Sequence, residues 1–260
     1  MSNLLAAMTL WQRELQRFLR QPSRVFGAIA MPLILWVLIG TGLSSSFRLP
    51  GAPTDLTYLE YFFPGTVVLL VLFAAIFATF SLIEDRHEGF LQGVLVAPVS
   101  RLSIVAGKVL GGATLAWLQG VLVLALAPLA GISLDPSSLV AAACVLALLA
   151  VALTSMGFAF AWRIDSTQGY HAVMNVLLIP MWFLSGAFFP LAGSPVWLEW
   201  AMRINPLTYG TAAFRRALYG ERLVGSEDLP SLQLSLTVLT LWCLASFVAD
   251  LLVIRRGTVE

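Results

Sequence analysis

The chain has 260 residues, of which 59% are hydrophobic and 11% charged. A water-soluble domain carries roughly 25% charged residues, so this chain lacks the charge to cover a water-facing surface, and its fitting solvent is lipid. A net charge of +1 gives no reason to expect a nucleic-acid partner, and two isolated thiols, Cys144 and Cys243, argue against a disulfide or metal centre.

Residues 3–21 carry Leu4, Met8, Trp11, Leu15 and Phe18 at helical spacing, with Arg13, Gln16, Arg17 and Arg20 on the other face. This pattern predicts an amphipathic helix lying in the membrane interface, its arginines toward lipid phosphates. Pro22 ends it. Charge-free intervals then run over 25–47, 61–83, 109–134, 136–162, 166–198 and 229–249, each meeting the roughly 18–20 residues that cross a bilayer as a helix. The expectation is an all-α integral membrane fold in one domain, 1–260. Its six spans fall at about 25–44, 61–83, 104–130, 138–162, 170–190 and 232–254. The first apolar run is too long for a signal peptide and reads as a retained span. Residues 44–60, rich in Pro, Gly and Ser, read as an irregular external loop.

An even number of spans puts both termini on one side. Ten of the 15 Lys and Arg residues fall on that side, which predicts cytoplasmic termini. Four of the other five, Arg203, Arg215, Arg216 and Arg222, lie between spans five and six. There Pro195 opens a short helix through Arg203, and Asn205–Pro206 forms the N-cap and first turn of a second, which Gly220 closes. Neither helix is long enough to span. With Trp197, Trp200, Tyr209 and Tyr219, the segment 193–222 reads as a re-entrant hairpin dipping into the outer interface, its arginines facing water or headgroups.

The loop 84–101 holds the densest charge cluster, Glu84, Asp85, Arg86, His87 and Glu88. Metal binding by its acids and histidine is disfavoured, because consecutive helical residues point in different directions. A helix end emerging into water is the plain reading; a charged lever that a soluble partner grips is the better one. Pro98 breaks the helix before span three. His171 is too isolated for a proton relay, and Asp250 is expected to pair with Arg255 and Arg256. Gly107, Gly111 and Gly112 give span three a small-residue face for close packing, within the chain or between two copies. Trp36, Phe77, Trp182 and Phe183 are candidates for lining a pathway, with ordinary packing as the alternative. Lys108 follows Gly107, but neither an upstream glycine nor a following Ser or Thr completes a Walker A loop. No H-E-x-x-H or G-x-S-x-G occurs. The chain is therefore expected not to hydrolyse nucleotide itself.

Two stretches carry a family resemblance. Glu84–Arg101, ending Leu95-Val96-Ala97-Pro98-Val99-Ser100-Arg101, is similar to the cytoplasmic loop between spans two and three of ABC-2 type permeases, the membrane subunits of ATP-binding-cassette exporters. Residues 183–220, with Gly186, Pro190 and the run Ile204-Asn205-Pro206-Leu207-Thr208-Tyr209, resemble that family's segment after span five. The resemblance implies a homodimer in the cell (inner or plasma) membrane, in contact with lipid, each copy docked on a separate cytoplasmic ATPase subunit. It implies that Glu84, Asp85, Arg86, Glu88, Gly89, Pro98 and Arg101, with Arg13 and Arg17 of the N-terminal helix, couple to that ATPase. ATP and Mg would be bound by the ATPase, and no cofactor by this chain. The implied substrates are amphiphiles such as drugs, lipids or lipid-linked glycans, and the small drug-resistance and lipo-oligosaccharide permeases are the nearest kind. The alternatives are an ABC-type subunit assisting maturation of an envelope protein or metalloenzyme, and a membrane-embedded enzyme. The latter would need polar catalytic residues clustered at one depth, and the spans offer few beyond Gln119, Asn175 and Asp250.

Overall fold

The computed structural model describes residues 3–43, 57–188, 190–191, 194–220 and 229–256, and all regular structure among them is helical. Residues 44–56, with Arg48, and Arg222 fall outside the described residues, as do the side chains of Arg24 and Arg256. In chain order the helices are α1 (Asn3–Leu19), α2 (Pro22–Gly42), α3 (Tyr58–His87), α4 (Phe90–Val96), α5 (Arg101–Leu124), α6 (Pro136–Arg163), α7 (Thr167–Trp182), α8 (Val196–Ile204), α9 (Pro206–Tyr219) and α10 (Leu232–Arg256). Five are long and apolar enough to cross a membrane: α3, α5, α6, α10, and α7 with its extension to Ala187. The first expected span corresponds to α2, whose apolar stretch Phe26–Gly42 is shorter.

Local chemistry places the boundaries. The side chains of Thr57, Ser100, Ser166 and Asn205 accept from the first-turn N–H groups of α3, α5, α7 and α9, donors a helix cannot satisfy itself. Proline stands at the start of α2, α6 and α9, where its missing N–H costs nothing. Span three is shorter than expected. Its helix ends at Leu124, because Pro128 cannot continue it, and one 3-10 turn, Ala127–Ala130, closes on Gly131 in the left-handed conformation.

Helix α3 is the axis. It packs against α2, α5, α6, α7 and α9, and its apolar stretch is almost wholly buried, whereas that of α10 is mostly not. The exposed leucines of α10, among them Leu241, Leu244 and Leu252, suit a helix at the lipid boundary. Asp250, by contrast, turns inward. It is fully buried and accepts from Ser155 Oγ of α6 at 2.6 Å. The ion pair expected with Arg255 is replaced by this bond, since a carboxylate facing α6 cannot also reach back to the exposed helix end.

The glycine face of α5 is used inside the chain. A Cβ at Gly107 would lie 2.7 Å from the Ala7 carbonyl oxygen, and one at Gly111 would lie 2.7 Å from Glu14 Cβ. Helix α1 therefore lies directly on α5. Gly112 gives the same close approach to Thr154 and Ala78. Gly107→Ala is expected to cost about 1–3 kcal/mol, the range for overpacking against backbone. Gly93→Ala, whose Cβ would meet nothing within 4 Å, should be neutral or stabilise by about 0.5–1 kcal/mol. Thermal unfolding of the purified variants checks both, and equal midpoints would contradict the packing.

Candidate functional site

Helix α1 turns the stripe Ala6, Leu10, Glu14 and Phe18 into the bundle, residues four apart and hence on one face. Glu14 sits within this apolar stripe and is 4% exposed. Lys108 of α5 explains it. Its Nζ lies 2.5 Å from Glu14 Oε1 and also contacts Asp85 Oδ2 of α3, while Ser81 Oγ donates to Glu14 Oε2 at 2.5 Å.

Asp85 has no exposure at all. Besides Lys108 it receives Arg13 as a fork, Nη1 to Oδ2 at 2.9 Å and Nη2 to Oδ1 at 2.7 Å. Arg17 also contacts Asp85, and its Nη2 reaches Glu84 at 2.9 Å and Glu88 at 3.2 Å. Four carboxylates thus meet three cations. Burial pulls the Arg13 guanidinium down, but hydrogen bonding to Asp85 and its charge outweigh this and hold its pKa above the ordinary value. The guanidinium carbon of Arg13 also stands 3.7 Å from the centre of the Phe90 ring, at the start of α4. Four helices, α1, α3, α4 and α5, are fastened at one point.

This geometry corrects two expectations. Arg13 and Arg17 turn to α3 rather than to lipid phosphates, because a desolvated carboxylate without counter-charges would cost several kcal/mol. Asp85 is consequently not a surface that a soluble partner could grip. The accessible face is the turn and α4: Glu88, Gly89, Gln92, Gly93, Val96 and Pro98 are exposed. Gly89, at φ 75°, adopts the left-handed conformation that turns α3 into α4. Arg86 crosses to the end of α6, its Nη2 donating to the Trp162 carbonyl at 2.5 Å and its Nη1 to Asp165 Oδ1 at 2.7 Å. Terminal helix carbonyls lack internal donors and attract cations. Arg101 Nη1 donates to the Arg255 carbonyl at 3.3 Å, joining the start of α5 to the end of α10.

At the other end of α3 the chain leaves helical geometry. Residues 183–187 form a π turn, with Gly186 left-handed at φ 75°. Carbonyls freed there need donors, since lipid supplies none. Asn205 Nδ2 donates to Met181 O at 2.6 Å, Thr208 Oγ1 lies 3.0 Å from Leu184 O, Tyr61 donates to Gly186 O at 3.2 Å and Tyr58 to Phe188 O at 2.8 Å. Pro64 likewise deprives the Glu60 carbonyl of its helical donor, and the Tyr219 hydroxyl replaces it at 2.8 Å. The hydroxyl of Tyr209 caps Arg203 O at 2.9 Å, and Ser194 Oγ donates to Pro190 O at 3.0 Å.

The two short helices start and stop where the sequence places them, with Pro206 at the first turn of α9. Their arginines do not all face water, however. Arg215 is 5% exposed, donates to the Tyr61 carbonyl at 3.1 Å and lies over the Tyr61 ring, while Arg216 donates to Leu229 and Pro230 carbonyls at 2.8 Å. Helix α9 packs on α6 and α10, so its basic residues serve the fold. Of the pathway candidates, Trp36 and Trp182 are buried and donate to the Leu59 and Gly65 carbonyls. Phe77 of α3 is half-buried with its ring 6.2 Å from the His171 ring of α7, and Phe183 is 37% exposed.

Residues 6–219 match the family model described as ABC-2 type transporter. The chain belongs to the ABC-2 type transporter family. It is 32% identical to the transport permease ycf38 of Cyanophora paradoxa over 193 residues, 73% of this chain and 66% of that protein. It is 26% identical to the inner membrane transport permease YadH of Escherichia coli K12 over 255 residues, 97% of this chain and 95% of the relative. It is also 24% identical to the daunorubicin resistance ABC transporter permease protein DrrB1 of Streptomyces coeruleorubidus, covering 83% of this chain and 75% of that one. The protein is a multi-pass membrane permease of this family.

Lys108→Met removes the close cation of the buried Glu14 and one of the three that face Asp85, and should cost about 3–5 kcal/mol. Adding Glu14→Gln should restore part of the loss. Glu88→Gln, at a side chain 59% exposed, should cost less than about 1 kcal/mol. Thermal denaturation of the three variants reads these differences. Asn205→Ala removes the cap of α9 and a donor to Met181, an expected loss of about 1–3 kcal/mol by the same assay.

Proposed function

We propose that the chain is the permease subunit of an ATP-driven exporter, moving an amphiphile (a drug, lipid or lipid-linked glycan) with ATP hydrolysed on a separate ATPase subunit. The observation that carries this reading is the ion cluster that fastens the exposed helix α4 and the superficial helix α1 to α3, the axis of the bundle. A push on α4 from a soluble partner has no loose joint in which to dissipate. Glu88, Gly89, Gln92, Gly93, Val96 and Pro98 form the docking face; Arg13, Arg17, Glu84 and Asp85 transmit, with Arg86 and Arg101 carrying the link to α6 and α10. The daunorubicin-resistance permease among the relatives supports the outward direction, since resistance needs drug removed.

In this reading α2 is the first of six spans, the termini are cytoplasmic and the α8–α9 hairpin faces the outer side. Two copies would enclose the pathway, with Phe77 and Phe183 as partly exposed aromatic candidates for lining it. Val96 is 85% exposed on α4, so Val96→Glu with Gln92→Glu alters the docking face without touching the core. Co-expressed with its ATPase and purified, this double variant should lose both the bound ATPase and transport while its unfolding midpoint stays that of the wild type. Retention of the ATPase at wild-type stoichiometry would refute the docking assignment.

A further inference from the structure

Helix α7 is held to its own chain by one stripe, Tyr170, Met174, Leu178 and Trp182, all buried. Its polar residues lie on the open side: Gln168, His171 and Asn175 are exposed and recur at i, i+3 and i+7. Thr167–Ala187 is long and apolar enough to cross a membrane. Asn175 stands about 12 Å along it at 1.5 Å per residue, near the middle of a hydrocarbon core of about 30 Å. Helix α10 shows what a lipid-facing surface tolerates. Its exposed hydroxyls, Thr237 and Thr240, donate to the Gln233 and Leu236 carbonyls of their own helix at 2.8 and 2.7 Å, and Leu241, Leu244 and Val248 complete the surface. The amide of Asn175 has no such bond among the described residues, and lipid supplies neither donor nor acceptor to it. The open side of α7 therefore meets a polar medium. It does not suit a tight seam with another helix either. Val176, Ile179 and Phe183 stand on it, where close helix packing favours glycine, alanine or serine.

We propose that this side of α7 lines the transport pathway, and that Asn175 is a specificity-determining residue that hydrogen-bonds a neutral hydroxyl or amide of the amphiphile passing mid-membrane. The inference rests on the exporter reading and narrows its substrate by chemistry. Helix α7 contains no Asp, Glu, Lys or Arg, so it offers no counter-charge to an ionic group at that depth, whereas an amide both donates and accepts. Val176, Ile179 and Phe183 offer the hydrocarbon of the same molecule an apolar surface. Phe77 of α3 joins that surface beside His171, their rings 6.2 Å apart.

The test uses the full chain in nanodiscs, in a background of Cys144→Ala and Cys243→Ala, with single cysteines added. Ile179→Cys, one turn beyond Asn175, should react with a charged methanethiosulfonate reagent about tenfold or more faster than Leu244→Cys of α10, because only a thiol in contact with water ionises readily. The ether 1-O-dodecylglycerol, which carries free hydroxyls, should slow that labelling about fivefold, the worth of one neutral hydrogen bond. Dodecyl methyl ether, which has no hydroxyl, should not. Adding Asn175→Leu should abolish the protection and leave the unprotected rate fast. Equal rates at Ile179→Cys and Leu244→Cys would overturn the pathway assignment. So would a spontaneous disulfide between two copies at Asn175→Cys, which would make this side of α7 a seam. Protection that survives Asn175→Leu, or none by either ether, would overturn the role of the amide. ATPase co-purification, measured on the same samples, reports separately on the exporter reading.

Discussion

Asp85 is a carboxylate with no access to water, and it can persist there only among counter-charges. Those charges come from two other helices, Arg13 and Arg17 from α1 and Lys108 from α5. The consequence is mechanical. Helix α1 could otherwise drift along the bundle as an amphipathic element, but sliding it would take Arg13 and Arg17 from Asp85 and draw the buried Glu14 away from Lys108. The glycines at 107 and 111 serve the same end, since they let α1 approach α5 closely enough for Glu14 to meet Lys108.

The opposite end of α3 is held without an ion pair, by hydroxyl, amide and Arg215 donors to backbone carbonyls. Tyr58 and Tyr61 donate into the broken end of α7, and Asn205 and Thr208 reach the same segment from the start of α9. The 30 residues of α3 make a rod of roughly 45 Å at 1.5 Å per residue. One end is clamped by charges beside the exposed α4 and the other by tyrosines against the π turn after α7. In the proposed exporter, force applied at α4 therefore arrives at the π turn near Gly186, where an irregular backbone can change shape without breaking a regular helix.

Much of this was legible in the sequence because it follows from local rules. The charge-free intervals locate the long helices, and Asn205, Pro206 and Gly220 delimit α9 through capping and proline geometry. The residues that escaped notice depend on tertiary pairing. Glu14 breaks the apolar stripe of α1 between Leu10 and Phe18, and Lys108 stands in the glycine-rich face of α5. An acid within one apolar face and a base within another are the signal that they meet, but nothing local says which helices pair. The arginines of α9 misled for a related reason. Charge counting treats every arginine as a free cation in search of water, whereas Arg215 is spent on the carbonyl and ring of Tyr61 and Arg216 on the Leu229 and Pro230 carbonyls ahead of α10.

The central claim is that α1 and α4 move with α3 as one unit through the transport cycle. It is tested most directly by the distance between spin labels at Gln16 of α1 and Gly93 of α4, both exposed, in a background lacking Cys144 and Cys243. The measurement is made on the resting complex and on the ATP-loaded complex by pulsed electron resonance. The account predicts one narrow distance distribution with the same centre in both states. A shift of about 5 Å, one helical turn, or a second population on ATP loading would contradict it and show that the joint opens.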